Sequence, residues 1–252
     1  VSTGGNENLD PETSKSLVIG GVYSPSFLRG LSIEANWYEV EVEGAIQAIP
    51  RPTTVLNCLL TGDPAVCGLV TRVNGELIEV EGFLQNIAAI KTRGIDLNLS
   101  YRTPMTRSGR LGLTVNNTFL RNYDVIIPGP TGPQLLTREG TQVGSPAQAF
   151  PKLKSLIALD WELGQVGATV TGRYVSKLRE TGGNVMDPVF YTDLQLRWNG
   201  PSFARGLGLA VGVNNLFDIF TPGCVTCESN NFSQAVYDIP GRYLYARATF
   251  RM

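Results

Sequence analysis

Alternation with a period of two residues runs through nearly the whole chain, and helical periodicity is almost absent. Nine segments carry the alternation, at about 14–23, 30–42, 88–102, 110–121, 153–163, 166–176, 189–198, 206–217 and 242–252. Most exceed the five or six residues usual in soluble sheets. They match the roughly 9–11 residues that a tilted strand needs to cross a bilayer. Their connections alternate in length without exception: Ser24–Arg29 is short, the next is long, Thr103–Gly109 is short, the next is long, and Gly164-Gln165 is short. A stretch of about a dozen residues, the short Asn199–Arg205 and a final long stretch complete the series. In an up-and-down meander this places every long loop at one end of the sheet. Short periplasmic turns and long extracellular loops are the asymmetry of outer-membrane barrels.

One parity of each strand is apolar. It reads Leu31, Ile33, Ala35, Trp37 in the second strand and Leu194, Leu196, Trp198 in the seventh. In the eighth it reads Leu207, Leu209, Val211, Val213, Phe217. The opposite parity is polar, as in Asp96, Asn98, Ser100, Arg102 and in Tyr191, Asp193, Gln195, Arg197. Aromatic residues close the apolar faces in two rows. Tyr23, Tyr101, Trp161, Trp198 and Phe250 fall at the short-turn end, and Trp37, Phe119, Tyr174 and Phe217 at the other. Tyr and Trp favour membrane interfaces because their rings are amphipathic, so these residues are expected to form the membrane girdle. A soluble antiparallel sandwich fits the alternation equally well. The loop asymmetry and the paired aromatic rows favour the transmembrane barrel.

Composition agrees. Charged residues make up 17% of the chain, against about 25% in ordinary soluble domains, as expected if one strand face is given over to lipid. No apolar run approaches the ~18–20 residues of a spanning helix, so a helical membrane protein is excluded. The formal net charge of −1 gives no electrostatic reason to expect nucleic acid as a partner. The absence of histidine removes His-based triads, HExxH zinc sites and histidine-ligated haem from this segment. Glu39, Glu41 and Glu43 alternate along one strand end, which reads as a solvated rim and not as a catalytic pair. Gly140–Gly144 lacks the Lys-Ser/Thr of a phosphate loop. Nothing points to an enzyme, a cofactor or a metal. The chain starts at Val1 without a visible signal peptide, which is expected of a processed chain or of a piece of a longer one.

Cys58 with Cys67 and Cys224 with Cys227 form two local pairs in expected exterior loops. The even count and exterior setting suggest two disulfides. Reduced or metal-bound states remain the alternative, although no second CxxC and no histidine accompany Cys224-Val-Thr-Cys227. On the polar face, Arg173, Tyr191, Asp193, Arg197, Tyr243, Tyr245 and Arg247 are candidates for a substrate path, with a plain hydrated wall as the alternative reading.

Five segments carry a family resemblance. Gly208–Asp218 resembles the GVNNLFD strand of TonB-dependent outer-membrane receptors, and Tyr237–Tyr243 resembles their Y-x-x-P-G-R approach to the last strand. Leu244–Met252 resembles the alternating end, Gly5–Ser14 the GNPNLKPE-T-S segment, and Ile90–Leu97 the T-x-G-I-D-L strand. Met252 departs from the aromatic last residue common in such barrels.

The resemblance implies an all-β fold: an antiparallel up-and-down transmembrane β-barrel, with about nine C-terminal strands of a 22-stranded barrel and the plug domain absent. At roughly 28 residues per strand, 22 strands need roughly 600 residues, so residues 1–252 are expected to be the C-terminal portion. Long extracellular loops are expected at about 43–87, 122–151, 177–188 and 218–241. The implied function is active transport of a scarce nutrient (ferric siderophore, corrinoid or carbohydrate) across the bacterial outer membrane. The implied partners are a TonB-type inner-membrane energy-coupling complex acting through the plug, the barrel-assembly machinery, the lipid bilayer and an extracellular small molecule. The alternatives are a passive porin-like channel and a soluble β-rich glycan-binding module.

Overall fold

The computed structural model describes residues 6–48, 51–82, 84–129, 132–143, 148–200, 206–227, 230–238 and 240–250. Gly5, Gly144, Arg251, Met252 and residues 201–205 of the expected Asn199–Arg205 turn lie outside them. The chain opens with β1 (Thr13–Tyr23) and β2 (Leu31–Ala48), then α1 (Arg51–Thr61) and α2 (Pro64–Cys67). A hairpin of β3 (Val70–Val73) and β4 (Glu76–Val80) leads into β5 (Leu84–Arg102) and β6 (Arg110–Gly129). Next come β7 (Gly132–Thr137), β8 (Thr141–Val143), β9 (Gln148–Ala149), β10 (Leu153–Leu163) and β11 (Val166–Val175). The short β12 (Leu178–Glu180) and β13 (Val185–Met186) precede β14 (Val189–Asn199), β15 (Leu207–Asn214) and β16 (Tyr243–Phe250).

The main sheet has the order β1-β2-β5-β6-β10-β11-β14-β15-β16, with β7 added on β6. Each long strand lies beside the next long strand in sequence, and the described pairings among β6, β10, β11, β14, β15 and β16 are antiparallel. This is the expected meander. Gly164 and Gln165 make the tight turn between β10 and β11, with Leu163 opposite Val166. Gly164 has φ 58°, as the first central residue of a II′ hairpin turn requires.

The chain divides into two compact units: residues 1–17, 39–93 and 122–138, and residues 18–38, 94–121 and 139–252. In the second unit the register fixes the faces. Leu113, Leu159, Val170, Leu194, Val213 and Leu244 stand opposite one another in a row across six strands. A neighbouring row on the other face reads Asp160, Thr169, Gln195, Gly212, Tyr245. The exposure is the inverse of a soluble sheet. Val170, Leu196 and Val211 are 41%, 49% and 53% exposed, while the polar face is internally hydrogen-bonded. Arg197 donates to both oxygens of Asp160, at 2.7 and 2.8 Å, and to Thr169 at 2.7 Å. Gln195 donates to the Tyr245 hydroxyl at 2.7 Å, and Thr118 donates to Asp96 at 2.8 Å. Glycines make room for the large members. A Cβ on Gly167 would lie 2.7 Å from Arg197 Nε, and one on Gly212 would lie 2.4 Å from the Tyr245 ring.

The first unit extends the expected strands. β2, β5 and β6 run for 18, 19 and 20 residues, past the bounds near 42, 88 and 121 read from the sequence. Two sets of interactions hold the strands of this unit together. Glu39, Glu41 and Glu43 pair with Arg93, Lys91 and Lys15 at 2.7, 2.7 and 3.2 Å, so the expected rim carries an exposed ion-pair ladder. Ala45, Ala88, Val125 and Ile127 pack together as a small buried core. The N-terminal segment is pinned by side chains: Asn86 donates to the Asp10 and Gly44 carbonyls and accepts from Asp10 N–H, and Glu12 accepts from Ile46 N–H.

Two expected bounds are corrected here. The stretch 43–87 begins in β2 and ends in β5, and holds α1, α2 and the β3–β4 hairpin between them. Thr54 and Asn57 of α1 are buried, and Thr61 donates back to the Asn57 carbonyl at 2.7 Å. Pro52 sits in the first turn, where a missing N–H costs nothing. The other correction concerns the eighth strand, which ends at Asn214 and not near 217. Asn215 takes φ 52°, which breaks the alternation and leaves Phe217 in an exposed turn and off the strand face.

Candidate functional site

The site lies at the long-loop end of the polar face, where β11, β14, β15 and β16 meet residues 230–238 and 240–241. Its placement follows from two short motifs. In Val213-Asn-Asn-Leu-Phe-Asp218, Asn215 turns the chain. Its amide donates to the Ile219 carbonyl and accepts from Ile219 N–H, at 2.9 and 2.8 Å. Asp218 then accepts from Arg242 N–H at 2.7 Å, and Arg242 Nε donates to the Leu216 carbonyl at 3.0 Å. A Cβ on Gly241 would lie 2.6 Å from the Asp218 carboxylate, so glycine is needed there. The two motifs thus lock each other and fix where Gly241 and Arg242 return to the sheet.

They enclose a cavity of about 590 Å³ lined by Arg173, Tyr191, Asn214, Asn215, Phe232, Gln234, Tyr237, Asp238, Pro240, Gly241 and Tyr243. Arg173 is its charged centre. Its Nε donates to Asp193 at 3.0 Å and its Nη1 to Asp238 at 2.6 Å. The guanidinium carbon stands 5.1 Å from the centre of the Tyr191 ring, in cation–π range. Asp193 also accepts Asn215 N–H at 2.8 Å, so one carboxylate holds both the arginine and the turn. The Tyr191 and Tyr237 side chains are almost wholly buried, and their hydroxyls meet no hydrogen-bond partner among the described residues. Burial, with Tyr191 alongside, pushes the Tyr237 phenol up to about 12. It is therefore a neutral hydroxyl throughout the physiological range.

A smaller cavity of about 180 Å³ continues along the polar face past Thr169, Thr171, Asp193, Gln195 and Tyr245. The structure thus brings Arg173, Tyr191, Asp193, Tyr243 and Tyr245 together around two adjoining cavities. It does not bring in Arg197, which is held by Asp160, or Arg247, which stands exposed on β16 opposite Ala210. Phe232, Gln234, Tyr237 and Asp238 are site residues that the sequence reading missed. The signal was present in Tyr237-Asp-Ile-Pro-Gly-Arg242, read only as an approach to the last strand.

Beside the cavity lies a folded loop cluster. β12 pairs with β13 and, in parallel, with β8. Leu178 and Met186, each 1% exposed, pack with Val175, Val189, Tyr191, Cys224, Cys227 and Tyr237. Cys224 is bonded to Cys227, and Cys58 to Cys67. The buried Glu180 carboxylate accepts Val225 N–H at 3.0 Å, Thr226 N–H at 2.7 Å and the Thr226 hydroxyl at 2.6 Å, and also takes the Asn184 amide. Burial alone would raise its pKa, but these four donors outweigh it and lower it to about 2. Among the described residues, no group of three or more acidic or cysteine side chains is placed to hold a metal ion.

The girdle candidates are distributed along the strand ends. Trp161 faces Leu111 and Ala168, Trp198 faces Val166, and Phe250 faces Leu207, all at the short-turn end. Trp161 Nε1 donates to the Ser108 carbonyl at 2.9 Å. Tyr23 ends β1, Tyr101 is next to last in β5, Trp37 lies in β2, and Tyr174 faces Ser155 and Phe190 at the long-loop end.

Comparison with known proteins agrees with this architecture. No curated protein matches the chain. The ferric enterobactin receptor PfeA of Pseudomonas aeruginosa aligns with a TM-score of 0.61 at 17% identity, covering 97% of this chain and 32% of its own. The siderophore receptor PirA of Acinetobacter baumannii gives 0.60 at 15%, covering 98% and 33%. The FrpB iron transporter of Neisseria meningitidis gives 0.61 at 15%, covering 97% and 31%. The chain spans about a third of the length of these structures, and at such identities the likeness is one of fold. The family described as TonB dependent receptor-like, beta-barrel matches residues 1–216, and the chain belongs to that family.

Proposed function

We propose that this chain is the wall and part of the extracellular rim of an outer-membrane receptor that imports a scarce nutrient. The observation that carries the reading is the inverted sheet. Apolar side chains of one face, among them Leu159, Val170, Leu196, Val211 and Leu244, are left exposed, while the opposite face is hydrogen-bonded and opens at the long-loop end into the cavity around Arg173. Such a surface is stable against lipid and unstable against water. In this reading the polar face lines the lumen, and Tyr23, Trp37, Tyr101, Trp161, Tyr174, Trp198 and Phe250 meet the two membrane interfaces. Phe217 contributes from the turn beyond β15.

Transport is energised by a TonB-type inner-membrane complex pulling on a plug carried elsewhere in the same receptor, and the barrel-assembly machinery inserts the barrel. The cargo is a ferric siderophore, a corrinoid or a carbohydrate. The aligned structures are a ferric enterobactin receptor, a siderophore receptor and an iron transporter, which supports nutrient uptake as the general class. The cavity around Arg173, Tyr191 and Tyr243 is where the cargo is met, and Asp193 and Tyr245 continue the path inward. The test is uptake by the intact receptor in a host with and without TonB. TonB-dependent accumulation supports the proposal. Equal accumulation in both strains, as a passive channel gives, or recovery of the receptor in the soluble fraction, overturns it.

A further inference from the structure

We infer that the short turns at residues 24–30 and 103–109 bind the phosphate groups of membrane phospholipid, each through an exposed arginine two residues after an exposed apolar side chain. This rests on the membrane reading above and goes beyond it, because it assigns two lipid sites at the end of the sheet opposite the Arg173 cavity.

The turn between β5 and β6 holds its arginine at the tip. Thr106 and Gly109 exchange both backbone hydrogen bonds, at 3.0 and 3.1 Å, so Arg107 and Ser108 reverse the chain. The Thr106 hydroxyl accepts from Ser108 N–H at 3.2 Å and donates to the Gly109 carbonyl at 2.8 Å, which stiffens the turn. Arg107 is exposed, and Met105 is 51% exposed. The turn between β1 and β2 repeats the arrangement. Leu31 N–H donates to the Leu28 carbonyl at 3.2 Å, so Arg29 and Gly30 are its central residues. Gly30 takes the positive φ, 90°, that the second central position of a type II turn requires. Arg29 is exposed, and Phe27 is 83% exposed. In both turns the arginine is the first central residue, and the apolar side chain stands two residues before it. The frame Pro25-Ser-Phe-Leu-Arg-Gly30 recurs in the sequence as Pro201-Ser-Phe-Ala-Arg-Gly206, of which residues 201–205 lie outside the described residues.

Trp161 sets the 103–109 turn against the apolar side of the sheet. It belongs to the apolar face of β10, opposite Leu111 and Ala168, and its Nε1–H donates to the Ser108 carbonyl at 2.9 Å. Glycine is needed at 109 for that approach, because a Cβ there would lie 2.9 Å from Trp161 Nε1. Arg107 therefore adjoins a residue bonded to a ring that the membrane reading puts at the interface. β5 and β6 have β2 and β10 on either side in the sheet, so strands carried elsewhere in the receptor do not adjoin this turn. Among the described residues, no carboxylate pairs with Arg29 or Arg107.

A cation held beside interfacial aromatic rings is at the depth of lipid phosphate. The guanidinium fork matches two phosphate oxygens. Met105 or Phe27 supplies apolar area for the acyl boundary, and interfacial binding draws on both contributions.

The intact receptor in detergent is titrated with phosphatidylglycerol, and with diglucosyl-diacylglycerol of the same chain length as the phosphate-free probe. Bound lipid is read by native mass spectrometry. Saturable binding of phosphatidylglycerol is expected, and weaker binding of the glycolipid. Arg29→Gln and Arg107→Gln should each weaken phosphatidylglycerol binding by roughly fivefold and leave the glycolipid unchanged. Phe27→Ser should weaken both lipids alike. Arg107→Lys keeps the charge and should retain most of the binding, and Arg72→Gln on the exposed β3–β4 hairpin should change nothing. All variants should keep the heat-modifiable gel mobility of the barrel, because the replaced side chains are exposed. Equal binding of the two lipids, binding unmoved by both glutamine variants at the turns, or an equal loss from Arg72→Gln overturns the inference. So does an Arg107→Lys variant as weak as Arg107→Gln. Release of the lipid by inorganic phosphate, and not by chloride of equal ionic strength, would assign the arginines to a free anion and also overturn it. The uptake assay separates the two claims. TonB-dependent uptake with lipid binding unmoved leaves the transport reading standing and removes this one, whereas recovery of the receptor in the soluble fraction removes both.

Discussion

The strands of the second unit and the loop cluster beside them hold themselves together by opposite means. Along β10, β11, β14 and β15 the apolar side chains are on the outside, and the polar face is stitched by Asp160, Thr169, Arg197, Gln195 and Tyr245. In the cluster formed by β8, β12, β13 and residues 219–227 and 230–238, the arrangement is that of a small soluble protein. Leu178, Met186 and the Cys224–Cys227 bridge are inside, and one buried carboxylate organises the backbone above it. The sheet needs lipid to bury its apolar face, whereas the cluster carries its own core. Changes that are mild in one region should therefore be severe in the other.

The largest contrast is expected from truncating the core of the cluster. Leu178→Ala should destabilise it by about 2–5 kcal/mol, read as faster proteolysis of the loops at unchanged heat-modifiable gel mobility of the barrel. Leu196→Ala, on the exposed sheet face, should change either readout far less. Comparable losses at both positions would erase the distinction. Next is Val170→Arg, with a cost of about 2–4 kcal/mol if its side chain sits near the bilayer midplane. The expected result is poor assembly into the outer membrane, and normal assembly would place that face in water.

Glu180→Gln comes third. It removes the charge from a site with four donors, and hydrogen bonds to charged groups are worth about 1.5–3 kcal/mol each. The sign of the pH effect follows from the lowered pKa. The carboxylate is stabilising above its ordinary 4.5, and that contribution is lost as pH falls toward about 2. Protection of the 224–227 loop should therefore decline over that window in the parent and not in the Gln variant. An acid-independent parent would contradict the clasp. The smallest effect is expected from Glu41→Gln on the exposed ladder of the first unit, where solvent screens the pair. No measurable change in thermal stability should follow.

The same contrast explains what was legible in the sequence. Strand faces were readable because lipid on one side and water on the other enforce strict parity, so Leu159, Val170 and Leu194 announce themselves by spacing alone. The ends of β2, β5 and β6 were not readable, because pairing of Glu39 and Glu41 with residues some fifty positions away extends the sheet where local charge suggests a rim. α1 was hidden by a short window of Thr, Asn and Cys, residues of modest helix propensity. Half of the site was visible as the polar parity of β11, β14 and β16. The other half was not, because Phe232, Tyr237 and Asp238 come from a loop whose path is set by the Asp218–Arg242 lock, a tertiary contact with no periodic signature.

The central claim is that one face of this sheet meets lipid and the other meets water. Spin labels placed by Val170→Cys and Leu194→Cys, and by Thr171→Cys and Gln195→Cys, in the intact receptor in outer-membrane vesicles test it most directly. The account predicts that oxygen dissolved in the bilayer relaxes the first pair and a water-soluble nickel chelate the second. Relaxation of Val170 and Leu194 labels by the chelate, with no response to oxygen, would contradict it.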